Sequence, residues 1–252
     1  MTTWVLLRGL AREAGHWGEV LPMLRERVPA GDAVVALDTP GNGTLWQERS
    51  PMRVEAMVAS CRARLAQQGA QPPYLLAGLS LGGMVALDWA ARYAGELAGC
   101  ALANSSFAGL SPFWHRLRPS AYAQALALLR PGMDLRTREH RVLLLTSNTR
   151  PVDARTEQRW IACAQAHPVS HANMLRQLVA AARHRIARLP PAVPMLLLAS
   201  RADRLVSVRC SQALAAHWKL PLHLHASAGH DLAVDDPHWL LDQLLSFRAH
   251  DG

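Results

Sequence analysis

Apolar residues along this chain fall into short runs, and the runs alternate with stretches of helical period. Residues 4–10, 33–37, 74–79, 99–103, 194–199 and 222–225 are near-continuously apolar. Strands buried on both faces of a sheet read this way. Helical patterns over 17–28, 52–68, 81–93, 208–218 and 237–248 separate or follow them. The last begins well, with Asp236 placed to cap it and Pro237 suited to its first position. Strands alternating with helices predict an α/β fold, a doubly wound, mostly parallel sheet of about six strands.

One stretch breaks the alternation. Between Phe107 and Leu189 the patterns are helical only, over 119–129, 137–145, 154–166 and 170–186, and strands resume at Pro194. We read residues 107–189 as a helical cap inserted between the fourth and fifth strands. Residues 1–106 and 190–252 then form the core. The alternative is ordinary extra helices on one face of the sheet. No internal repeat, linker or low-complexity tract interrupts this plan.

Composition narrows the class. The chain has 252 residues, half of them hydrophobic, which suits a single globular core with an insertion. No apolar stretch reaches membrane-spanning length. No basic segment precedes the first apolar run, so we expect no signal peptide and a cytoplasmic protein. Cys61, Cys100, Cys163 and Cys210 are far apart, without a C-x-x-C pair. They read as free buried thiols rather than a disulfide frame or a zinc site. The net charge is +8, and Lys219 is the only lysine. Thirteen arginines and four acids fall between Phe107 and Pro190, so that segment carries +9 and the remainder −1.

The most informative motif is Gly78-Leu79-Ser80-Leu81-Gly82, directly after one apolar run and directly before a helical pattern. A serine at the apex of a strand–turn–helix sits in strained backbone. Glycines two residues away on each side let strand and helix approach without Cβ clashes. The helix N-terminus behind the hydroxyl favours developing negative charge. A serine hydroxyl is a weak nucleophile and needs a base, and the base needs an orienting acid. His230, in the loop between the last strand and the final helix, is the candidate base. Asp203, just past the end of the strand at 194–199, is the candidate acid. Asp231 neighbours the histidine too closely, and Asp235 and Asp236 have capping roles available. The strand ending at Ala103 is followed by Asn104-Ser105-Ser106, with no carboxylate. An oxyanion hole needs two backbone N–H groups, assigned to Leu81 and to Leu10 in the turn after the first strand, where Gly9 lets the chain bend.

The order Ser80, Asp203, His230 and the motifs around them resemble the α/β-hydrolase superfamily. The matching segments are Gly78-Leu79-Ser80-Leu81-Gly82-Gly83, Arg8-Gly9-Leu10, Asp38-Thr39-Pro40-Gly41-Asn42-Gly43, Arg201-Ala202-Asp203-Arg204-Leu205-Val206 and Ala228-Gly229-His230-Asp231. They span nearly the whole chain in the family's order. The chain is also similar to the carboxylesterase branch that includes the pimeloyl-carrier-protein methyl esterases. The family's turn after this first strand usually reads His-Gly; here it is Arg8-Gly9. That leaves Arg8 either shaping the loop or facing the pocket to bind an anion. The first strand here corresponds to the family's third. A serine nucleophile disfavours the family's dehalogenase and epoxide-hydrolase branches.

The function expected is therefore a serine hydrolase cleaving a carboxylic ester or thioester through an acyl-enzyme. The alternatives are a non-hydrolytic ligand receptor on the same fold, or C–C hydrolase or perhydrolase chemistry with the same triad. The chemistry needs no cofactor, and no metal-ligand cluster, phosphate loop or nucleic-acid motif is present. A +9 cap could steer an acidic carrier protein or a coenzyme A thioester, or it is a solvated arginine-rich face. Phe113, Trp114 and Trp160 are cap aromatics suited either to lining an apolar acyl site or to packing the cap.

Overall fold

The computed structural model describes residues 1–128, 130 and 132–249, the side chain of Ala249 apart. Six strands form one sheet: β1 (Thr3–Leu7), β2 (Ala33–Leu37), β3 (Tyr74–Leu79), β4 (Leu97–Ala103), β5 (Met195–Ser200) and β6 (Leu222–His225). Their spatial order is β2-β1-β3-β4-β5-β6, and each pairing is parallel. The carboxyl ends of β1, β3, β4 and β5 thus open onto one edge, where ligands bind in open α/β sheets.

Strand residues alternate between two cores. Trp4, Leu6, Leu75, Ala77, Leu196 and Leu198 face one side. There they meet α1 (Val20–Arg27) and α11 (Pro237–Ala249). Val5, Leu7, Leu76, Leu102 and Leu197 face the other. There they meet α2 (Val54–Gln67), α3 (Leu81–Arg92) and α9 (Arg209–Trp218). This burial on both faces explains the continuous apolar runs. Among the described residues, no helix is long and apolar enough to cross a membrane.

Between β4 and β5 the chain forms α4 (Phe113–Arg116), α5 (Tyr122–Leu128), α6 (Leu135–Thr146), α7 (Ala154–Ala166) and α8 (His171–Arg183); α10 (Leu232–Asp235) precedes α11. Asp134, Asp153 and Ser170 start α6, α7 and α8 by accepting the N–H groups of Thr137, Thr156 and Asn173, each satisfying an otherwise orphaned donor. The short helices α4 and α10 carry no period long enough to read in sequence. The predicted helix end at residue 129 lies outside the described residues.

Most boundaries fall within two residues of the pattern; three larger shifts have a visible cause. β1 stops at Leu7 instead of residue 10, because the chain turns there and the Arg12 N–H bonds the Gly9 carbonyl. The helix expected from residue 17 starts at Val20, because Ala14–Trp17 form a 3₁₀ turn ended by Gly18 at φ +53°. The pattern over 170–186 stops at Arg183, because the His184 carbonyl accepts from the Ala108 N–H, and Arg185 pairs with Ala108 in a parallel bridge.

Candidate active site

Ser80 stands between β3 and α3 at φ 57°, ψ −117°, a region that L residues rarely occupy. The surrounding glycines explain how the turn closes. A Cβ on Gly82 would lie 2.1 Å from the Leu7 carbonyl oxygen, and one on Gly78 would lie 2.4 Å from that of Gly82. The elbow is therefore backbone packed on backbone. The Ser80 N–H donates to the Ala103 carbonyl at 2.9 Å, and the Ser105 hydroxyl donates to the Ser80 carbonyl at 2.9 Å. Ser80 itself is half-buried, and Leu81 is the first residue of α3. The Leu81 amide has no acceptor within its own helix, as for any first-turn donor.

His230 is 4% exposed and Asp203 1%. The His230 ring donates from Nδ1 to Asp203 Oδ2 at 2.8 Å; the ionised carboxylate only accepts, so this bond leaves a lone pair on Nε2. Asp203 Oδ1 is occupied by the N–H groups of Leu205 and Val206, at 2.7 and 2.9 Å. Burial alone would push the His230 pKa down. The Asp203 charge and hydrogen bond, with Asp231, outweigh it and raise the pKa above the ordinary histidine value. Ser80 is joined to this pair through the turn after β4, not by a hydrogen bond among the described residues.

That turn centres on Asn104, buried and at φ +45°. Its Oδ1 accepts the Ser200 N–H at 2.8 Å. Its Nδ2 donates to the His230 carbonyl at 2.8 Å and to Ser200 Oγ at 3.2 Å. One side chain thus spaces β4, the end of β5 and the histidine loop. Sequence reasoning dismissed this position because it holds no carboxylate.

The loop after β1 packs on Ser80: a Cβ on Gly9 would lie 3.2 Å from Ser80 Cβ. Arg8, offered as a pocket anion binder, does something else. It is buried and forks onto Asp231, at 3.0 and 2.5 Å, with its guanidinium 5.0 Å over the Trp17 ring. A buried arginine needs a carboxylate partner, and this pair ties the loop after β1 to the histidine loop. Beyond it, Ala11 at φ +54° donates its N–H to Gln177 Oε1 at 2.8 Å. Gln177, wholly buried on α8, also donates to Asn42 Oδ1 and Ser50 Oγ, each at 3.0 Å. Asp38 receives the Ala14 and Thr44 N–H groups at 2.8 and 2.9 Å. Nothing in sequence marked Gln177 or the Arg8–Asp231 pair, since each joins residues more than 100 apart.

The aromatic candidates separate. Trp160 is 1% exposed, edge-on to His16 and beneath the Arg12 guanidinium at 4.5 Å; it packs the helices instead of facing a ligand. Phe113 and Trp114 are 68% and 49% exposed, edge-to-face at 5.0 Å, and so do not bury an acyl chain in this conformation. Asp236 caps α11 as expected, accepting the Trp239 N–H at 2.9 Å. Asp235 caps nothing; it receives the Ser147 hydroxyl and the Asn148 and Gly229 N–H groups. The His loop is thereby tied to the segment after α6. Among the described residues, no group of three His, Cys, Asp or Glu side chains could hold a metal ion.

The sequence profile of the serine aminopeptidase S33 family matches residues 3–237. No curated protein sequence is similar enough to match. Solved structures share the fold. An esterase from Rhodococcus sp. ECU1013 is 20% identical with a TM-score of 0.79, over 100% of this chain and 91% of that one. An esterase from Thermogutta terrifontis is 18% identical with a TM-score of 0.76, over 100% and 90%. A bacterial membrane phospholipase A is 22% identical with a TM-score of 0.76, over 99% and 79%.

Proposed function

The chain belongs to the serine aminopeptidase S33 family of α/β-hydrolases, and within it we propose a serine hydrolase that cleaves a carboxylic ester or thioester through an acyl-enzyme. The observation that carries this reading is the buried Asp203–His230 hydrogen bond of 2.8 Å, linked through the turn after β4 to a serine at positive φ on a helix N-terminus. His230 Nε2 takes the Ser80 proton as Oγ attacks the acyl carbon. The Leu10 and Leu81 N–H groups hold the resulting oxyanion. The leaving alkoxide or thiolate collects the proton from His230, and water activated by the same ring then releases the acid and frees Ser80. Asp203 keeps the tautomer and stabilises the imidazolium.

The neighbours named as esterases and a phospholipase support an ester over a peptide as the substrate. Residues 107–189 act as the cap over this site. The +9 charge of this stretch supports steering of a thioester on an acidic carrier or coenzyme A. Part of that charge is used internally, since Arg116, Arg118 and Arg176 donate to backbone carbonyls. If steering operates, the rate on carrier-linked thioester falls as salt rises; a flat profile removes it.

The direct test is burst kinetics on p-nitrophenyl esters of increasing acyl length, with Ser80→Ala in parallel. Turnover should fall by about four to six orders of magnitude in the variant while the fold is kept. A variant that retained the wild-type rate would overturn the assignment.

A further inference from the structure

A cavity of about 570 Å³ lies between α2, α3 and the ends of α8 and α9. It is separate from Ser80. The α3 residues that border it, Leu87 to Arg92, lie about 10–18 Å further along the helix axis at 1.5 Å per residue. Its walls are apolar where they are deepest: Val54, Leu87 and Trp218 are all buried. Its rim is basic. Arg53, Arg183 and Arg185 border it, all exposed, and none forms an ion pair among the described residues.

The acids present do not neutralise that rim. Glu55 and Asp88 also line the cavity, but both turn to Arg92, at 3.4 and 2.7 Å. Counting Arg92, four arginines face two carboxylates, so the lining keeps a net charge of +2. His184 borders the same cavity, with its ring edge-on to Phe107.

We propose that this cavity is a second ligand site, for a small amphipathic anion: one carboxylate or phosphate head held by the rim arginines, with a short apolar tail on the Leu87–Trp218 floor. Guanidinium forks match both head groups, and concave sites with an apolar lining and a few placed polar groups are the common form of small-molecule pockets. The site lies outside the proposed catalytic machinery, so it stands or falls independently of the hydrolase reading.

Trp218 supplies the readout, because the residue borders the cavity and its indole N–H donates to the Arg188 carbonyl at 3.3 Å. We would follow the indole signals of nitrogen-labelled full-length protein by NMR, with Trp218→Phe to identify the resonance. Octanoate and octyl phosphate should each shift it saturably, and the tighter of the two identifies the head group. Octanol and acetate should leave it in place at the same concentrations. Arg53→Gln combined with Arg183→Gln should weaken binding about tenfold or more and leave p-nitrophenyl butyrate turnover unchanged. If the double variant misfolds, Arg183→Gln alone carries the same test. An unmoved Trp218 signal, undiminished affinity in the charge variants, or octanol binding as well as octanoate would each overturn the proposal.

Discussion

The elbow at Ser80 and the helices between β4 and β5 are held together in opposite ways. At the elbow, backbone meets backbone. Gly82 lies against the Leu7 and Arg8 carbonyls and Gly78 against the α3 start, with no room for a methyl group. In the helices between β4 and β5, polar side chains reach across to other segments. Arg116 donates to Ala181 and Ala182, Arg118 to Asp203, Asn173 to Trp46 and Glu48, and Gln177 spans three loops. The first region owes its precision to missing side chains and the second to long ones. A site that must place a nucleophile within tenths of an ångström uses the stiffer device. Helices that need only be anchored use the softer one.

The contrast can be broken at its strong end first. Gly82→Ala should cost more than about 3 kcal/mol, since an added methyl must displace the β1 backbone rather than a side chain. Thermal unfolding would report it, and turnover should vanish with it. A stable, active Gly82→Ala protein would mean the elbow is not closed by backbone contact.

Next in size is Asp203→Asn, expected to lower turnover by about 10³–10⁴-fold with the fold kept. It also has a pH signature. The His230 pKa is raised above the ordinary value, and the base must be neutral to accept the Ser80 proton. Turnover in the wild type should therefore climb with pH through a midpoint above the usual histidine value. Removing the Asp203 charge leaves burial to dominate, so the midpoint of the residual activity should fall. A midpoint that stayed put would separate Asp203 from the base.

Gln177→Leu addresses the softer region. It strands the Ala11 N–H and removes two further bonds; a loss of about 1–3 kcal/mol is expected by denaturant unfolding. Because Ala11 adjoins Leu10, kcat should fall more than KM rises; the reverse would place Gln177 in binding only. Smallest of all is Phe113→Ala. With the ring 68% exposed, stability should change by less than about 0.5 kcal/mol, and a larger loss would show that α4 packs more tightly than its exposure suggests.

Much of this was legible in the chain. β2, β3 and β6 run over the residues their runs marked; β3 is buried throughout, as a central strand must be, while β2 and β6 are part-exposed edge strands. Ser80, Asp203 and His230 were legible as strand-end residues, because parallel strands bring their carboxyl ends to one edge whatever lies between. Asn104 was not legible. An amide after a strand has no periodic signal, and its value comes from three segments that meet only on folding. Arg8 stayed open between two roles for the same reason: its partner Asp231 stands 223 residues away. Trp160 and Phe113 look alike as aromatics of the same stretch, yet one is buried and the other mostly exposed. Local pattern carries element type, order and the turn at Ser80, since these follow from burial periodicity and backbone sterics. Partner choice among distant polar residues follows from packing, since a charge or amide excluded from water takes whichever partner the fold brings near.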